Sequence, residues 1–262
     1  MSPWLSGKRV WILGGLSGLL SGLLGIGGGL VIGPALILGG MPMKRAFGTA
    51  LAVVLPVAVV GVCVEFFAAP SNLHLTTALI IAAGGQVGAW LGGKLLPHVN
   101  ERLLRILFLG LLLWAGLRNL GIIGGAPIGV MPGLTVGLAS LSWAYQVMLG
   151  MLAGLTAVFF GIGGGVVVVP GLFFLVGGIP LHVASATSLL AMVPTAALGL
   201  RIAWKDQRIE RQSVKRLLPT ALLLGGVGVL LRNQIADFAP GLLAQIFGAF
   251  LLFAFVQVGR KK

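Results

Sequence analysis

Two copies of one glycine-rich pentapeptide are the residues best suited to chemistry. Gly25-Ile26-Gly27-Gly28-Gly29-Leu30-Val31-Ile32-Gly33-Pro34 aligns with Gly161-Ile162-Gly163-Gly164-Gly165-Val166-Val167-Val168-Val169-Pro170, and seven of these ten positions are identical. Glycine tolerates positive φ and close backbone approach, so such a segment can reverse a chain inside an apolar environment. A helix restarted after the break presents free N–H groups and the positive end of its dipole. Together these can hold an anion without a charged side chain. The same glycines could instead serve tight helix packing. Gly14, Gly18 and Gly22, and Gly84, Gly88 and Gly92, are read that way. For the pentapeptides the binding reading is preferred, because breaks repeated at corresponding positions point to a site. The candidate site is therefore Gly25, Gly27, Gly28 and Gly29 with Gly161, Gly163, Gly164 and Gly165.

Few polar side chains could join it. Thr49 and Thr187 are equivalent by repeat; each hydroxyl could bind an oxyanion oxygen or its own i−4 carbonyl. Ser188 adjoins Thr187, and Gln86 sits near the centre of an apolar segment, where an amide needs a partner. Gln245 takes the same reading, and Ser21 and Thr156 lie about one turn before the breaks. Lys44 and His182 occupy matching positions, where they could attract anions or anchor the chain at the interface. His74 and His98 show no metal-ligand spacing. Glu65 falls near a span end and is read as solvated or snorkelling, which leaves no proton carrier. No nucleophile–base pair or metal cluster stands out, and the pentapeptides lack the Lys-Ser/Thr of a phosphate-binding loop. Neither enzyme activity nor a cofactor is expected.

The elements that must position these residues are membrane helices. The chain has 262 residues, of which 58% are hydrophobic and only 9% charged. A soluble domain carries nearer a quarter charged residues, so lipid must be the solvent for much of the surface. The net charge of +13 lies between apolar stretches, which argues for topology signals rather than nucleic-acid binding. Cys63, the single cysteine, is read as a packed core thiol. Lys8, Arg9 and the apolar run after them are read as a retained first helix rather than a signal peptide.

Crossing the hydrocarbon takes about 20 apolar residues. Spans are expected over 43–67, 73–96, 103–123, 182–203, 214–231 and 238–258. Two longer regions, 10–38 and roughly 142–176, carry the pentapeptides near their middles. Reading each as a hairpin that returns to its own side, with both termini cytoplasmic, places every basic residue except Arg118 and Arg232 on the cytoplasmic side. Reading the first region as one crossing destroys that bias.

The internal match continues past the pentapeptides. Gly39, Gly40, Pro42, Ala46, Thr49, Leu51, Pro56 and Gly61 pair with Gly177, Gly178, Pro180, Ala184, Thr187, Leu189, Pro194 and Gly199. Each half, residues 1–124 and 125–262, then holds one hairpin and three spans, so the second half enters inverted. The expected fold is an all-α polytopic membrane protein of two inverted repeats. That is an architecture of secondary transporters with a midplane site.

The paired GIGGG segments, the proline after each, Ala46-x-x-Thr49 with Ala184-x-x-Thr187, and Gly85-Gln86-Val87-Gly88-Ala89-Trp90-Leu91-Gly92-Gly93-Lys94 resemble the sulfite exporter TauE/SafE family over about residues 10–258. The resemblance implies export of sulfite, a sulfonate or a related sulfur anion across a bacterial inner membrane. In the second half Arg232 stands where the first has Gly92, and no lysine matches Lys94. The partners implied are a small anion and the lipid bilayer. An anion channel and a non-transporting accessory subunit are the rival readings, and a homo-oligomer is left open.

Overall fold

The computed structural model describes residues 8–122, 142–172, 180–238 and 240–260. Its elements are α1 (Lys8–Leu24), α2 (Gly29–Leu38), α3 (Met43–Ala68), α4 (Leu75–Leu95), α5 (Glu101–Asn119), α6 (Ser142–Phe160), α7 (Gly165–Pro170), α8 (Leu181–Lys205), α9 (Arg211–Phe238) and α10 (Pro240–Arg260). The expected repeat boundary at 124/125 and the end of the second hairpin near 176 lie outside the described residues.

The protein is an all-helical polytopic membrane protein. Among the described residues five segments are long and apolar enough to cross a bilayer: Met43–Ala68, Leu75–His98, Trp143–Phe160, His182–Lys205 and Arg211–Ile235. Their outward faces carry Phe66, Leu79, Trp90, Leu152, Leu223 and Leu230, which only lipid solvates without cost. Both long apolar regions break at their glycines, α1 giving way to α2 after Leu24 and α6 to α7 after Phe160.

Long-range contacts fix the direction of each helix. Lys44 Nζ reaches Pro97 O at 3.4 Å, Arg45 pairs with Glu210 at 2.7 Å, and Arg105 Nη2 donates to Val258 O at 2.6 Å. The starts of α3, α5 and α9 therefore share one end, rich in basic residues, with the ends of α4 and α10. Cation–π contacts of Lys94 on Trp90 and Arg211 on Trp204 mark the same level. At the opposite end the loop after α3 meets α8, where the His74 amide faces Thr187 Oγ1.

Small residues set the two closest helix pairs. A Cβ at Gly14, Gly18 or Gly22 of α1 would overlap backbone or side-chain atoms of α9 at Leu217, Thr220, Ala221 and Gly225 in turn. Likewise Gly84 and Gly88 of α4 abut Val147 and Met151 of α6. The backbones approach so closely that only glycine fits, the small-residue mode of membrane helix packing. Both glycine rows are thus consumed inside the chain. The rising register makes α1 parallel to α9 and α6 parallel to α4. Since α9 starts at the basic end and α4 at the other, the two broken regions enter the bundle from opposite ends.

Two expectations are corrected. The thiol of Cys63 is exposed rather than packed in the core, because its face of α3 points outward. The span expected over 214–231 is one long helix, Arg211–Phe238, and Arg232, expected outside the span, is fully buried within it.

Candidate functional site

The breaks are turns that only glycine adopts readily. Gly25, Gly27 and Gly28 have φ of 69°, 76° and 68°, and Gly161, Gly163 and Gly164 have 65°, 73° and 89°. The intervening Ile26 and Ile162 are fully buried, so an apolar anchor seats each turn while the glycines curl around it. Gly28 and Gly164 then act as left-handed N-caps with no side chain to satisfy the first amides. The ladder begins identically in both, Val31 and Ile32 donating to Gly28 O, and Val167 and Val168 donating to Gly164 O. The amides of Gly29 and Leu30 precede that ladder, where a helix start presents partial positive charge.

The two turns touch. A Cβ on Gly29 would lie 2.7 Å from Ile162 Cα and overlap Gly161 O, and one on Gly165 would lie 2.7 Å from Ile26 Cα and 2.5 Å from Gly25 O. Each turn also rests on its own incoming helix, Gly28 against Ser17 O and Gly164 against Ala153 O. Backbone from each half thus meets in the interior, buried throughout.

Their surroundings differ. Around the first turn, Ser185 Oγ donates to Leu24 O at 3.2 Å and Ser188 Oγ donates to Gly25 O at 3.1 Å. Ser21 is fully buried beside it, with Cβ 3.4 Å from the Cβ position of Gly28, and its hydroxyl has no hydrogen-bond partner. Around the second turn the corresponding α3 residues are Phe47 and Ala50. Phe47 lies in an aromatic group with Phe108 and Phe160, ring centroids 5.2 and 6.0 Å away. Thr156, half-buried, donates to Ala153 O at 3.0 Å.

The paired threonines stand apart from the turns, in matching braces to loops of the opposite half. Thr49 Oγ1 donates to Arg45 O at 2.8 Å and accepts the Glu210 N–H at 2.9 Å. Thr187 Oγ1 donates to Asn72 O and accepts the His74 N–H, both at 3.4 Å. Beside the Thr49 brace, burial pushes the Arg208 guanidinium below its usual range, while Asp206, 2.9 Å away, pulls it back up. Gln86 lies half-buried on α4, next to Gly85, whose Cβ position falls on Thr195. Of Thr49, Thr187, Ser188 and Gln86, Ser188 is thus the one whose side chain hydrogen-bonds to a glycine turn.

Glu65 is the largest departure. It is fully buried, paired with Arg232 Nη2, and accepts Asn72 Nδ2 at 2.6 Å and Asn233 Nδ2 at 3.3 Å. Its nearness to a span end suggests water, but the loop carrying Asn72 folds back over it. Sequence reasoning also missed Ser185, Val54 and Met192. For Ser185 a signal existed, since Ser185 and Ser188 are three apart and share a helix face.

Comparison with known proteins bears on all of this. The family model of the sulfite exporter TauE/SafE family matches residues 2–119 and 145–262. A probable membrane transporter protein of Xylella fastidiosa (strain 9a5c) is 27% identical over 247 residues, 94% of this chain and 92% of the relative. One from strain Temecula1 is 26% identical over the same span. A probable membrane transporter protein of Methanocaldococcus jannaschii is 31% identical over 109 residues, 38% of this chain and 40% of that protein. With both broken hairpins and the helices around them inside the matched residues, the chain is a multi-pass membrane transporter belonging to the sulfite exporter TauE/SafE family.

Proposed function

We propose that this protein is a secondary transporter that exports a small sulfur-containing anion, such as sulfite or a sulfonate, across the bacterial inner membrane. Its halves, residues 1–124 and 125–262, act as inverted repeats with both termini cytoplasmic. Basic residues concentrated at one end support that orientation. The observation that carries the reading is the meeting of two glycine turns from opposite ends beside the unpartnered Ser21 hydroxyl. The anion is held by amides of Gly27 to Gly29, with Ser21 donating, and by the matching turn at Gly163 to Gly165. Ser188 fixes the first turn from α8, and the Thr49 and Thr187 braces carry motion between the halves. Gln86 contributes from the α4 wall. Alternating access follows when one half rocks against the other about this contact.

Thermal unfolding of the purified protein tests the reading, with sulfite, sulfate, thiosulfate, taurine, phosphate and chloride added in turn. A ligand bound only by the folded state raises the melting temperature by mass action. Selective stabilisation by a sulfur anion is expected, lost in Gly28→Leu and Gly164→Leu together with flux into vesicles. Full activity of both variants, well folded, would overturn the site.

A further inference from the structure

We propose that Arg232 is the cationic ligand of the transported anion and that Glu65 holds its place in the empty carrier. Anion and carboxylate then exchange on one guanidinium. The inference rests on the anion-transport reading above and adds a charged residue to that site.

A fully buried arginine inside an apolar helix is costly and marks function by default. The guanidinium has three bonding edges. Nη2 pairs with Glu65, and Nη1 reaches Gly22 O at 3.4 Å. Nε has no partner. Gly22 is the chain neighbour of Ser21, whose hydroxyl has no partner and whose Cβ lies 3.4 Å from the Cβ position of Gly28. Arg232, which contacts Gly22, and Ser21 thus each carry an unused donor at adjacent positions along α1, just ahead of the first glycine break.

Helix packing does not call for a charge at this position. Its counterpart in the first half is Gly92, which rests against Leu155 and Val158. Charge balance explains why the anion must exchange rather than add. The charges meeting here are Glu65 from α3 and Arg232 from α9, which sum to zero. A second anion beside an intact pair would leave net negative charge buried, at a large desolvation cost. Exchange keeps the site neutral when Glu65 takes up a proton from solution as it leaves the guanidinium, so one proton enters with each singly charged anion. A planar guanidinium fork accepts a sulfur oxyanion as it accepts a carboxylate. Asn72 and Asn233 already donate to Glu65, so the displaced, protonated carboxyl keeps two hydrogen bonds.

The test is the double variant Glu65→Gln with Arg232→Gln, compared with the parent protein in sulfite-dependent melting and in sulfite flux from vesicles. Replacing both members of a buried pair leaves no unpaired charge, so the variant is expected to melt cooperatively, without the sulfite shift and with flux at background. Parental shift and flux in the double variant would reduce the pair to a structural role and overturn the proposal. Glu65→Gln alone removes the competitor and keeps Arg232. Its half-saturating sulfite concentration is expected to fall several-fold, and an unchanged value would count against exchange. If the parent protein neither melts later nor transports with sulfite, the function reading fails and this inference falls with it.

Discussion

Val54 and Met192, which hold the same place in α3 and α8, close together on both glycine turns. Val54 Cγ1 lies 2.8 Å from the Cβ position of Gly27 and 2.9 Å from that of Gly163, and Met192 Cε overlaps both positions. Both side chains are buried in one small cluster with Leu51 and Ala196. In the proposed mechanism, passage through the contact between the turns requires this pair to part, and methionine, unbranched and flexible, is the member suited to swing.

Met192→Ala should therefore do two things. It should cost about 2–4 kcal/mol of stability, the usual range for emptying a buried site of this size, read as an earlier thermal transition. It should also raise sulfite leak from loaded vesicles, since the closure would be incomplete. Met192→Leu conserves volume and should stay within about 1.5 kcal/mol of the parent. A tight, folded Met192→Ala protein would show that the pair is filler rather than closure.

The contact between the turns predicts a graded alanine series. Gly29 and Gly165 lie in helical backbone, so alanine there is opposed by contact rather than by φ. Its Cβ would run into the facing turn, and a loss of about 1–3 kcal/mol is expected from overpacking. Gly110 on α5 has nothing within 4 Å of its Cβ position, so Gly110→Ala should gain up to about 1 kcal/mol from helix propensity. Melting curves of the three variants decide it; equal behaviour at Gly29 and Gly110 would mean the turns do not bear on one another.

How much of this could be read beforehand divides along a physical line. The breaks at Gly25–Gly28 and Gly161–Gly164 were legible because glycine runs inside apolar stretches have few uses. The packing rows Gly14–Gly22 and Gly84–Gly92 were legible from their spacing of four. Partner choice was not. Periodicity cannot say that the loop carrying Asn72 folds over Glu65, or that Arg232 reaches across from α9. Exposure of Cys63 was hidden for a related reason, since in a membrane protein both core and lipid-facing surfaces are apolar. The threonines pair by repeat in the sequence, but the N–H groups that they accept belong to loops of the opposite half, 161 and 113 positions away along the chain.

Those two braces should differ in strength. Thr49 makes contacts of 2.8 and 2.9 Å, whereas both contacts of Thr187 are 3.4 Å. Thr→Val removes the hydroxyl at constant shape and leaves a backbone N–H unpaired, a cost of about 1–3 kcal/mol when the donor is buried. Thr49→Val should fall in that range and Thr187→Val below it. Glu210→Gln, which breaks only the half-exposed pair with Arg45, should cost at most about 1 kcal/mol and less in high salt. Thermal melts at low and high ionic strength separate the three, and a salt-sensitive Thr49→Val effect would assign the coupling to the ion pair instead.

Cys63 offers a test of the lipid-facing surface. Its thiol is exposed beside a cavity of ≈ 210 Å³ whose lining includes Val59, Val62, Leu79, Leu190 and Pro194. The lining is apolar, and a charged reagent does not partition into a crevice filled by acyl chains. A charged, membrane-impermeant thiol reagent should therefore leave Cys63 unlabelled in sealed vesicles and label it fully after denaturation. Cys63→Val keeps the face apolar and should shift stability by less than about 0.5 kcal/mol, as surface changes away from special features do. Rapid labelling of the folded protein by the charged reagent would place water, rather than lipid, against this face of α3 and would require the bundle to be turned in the membrane.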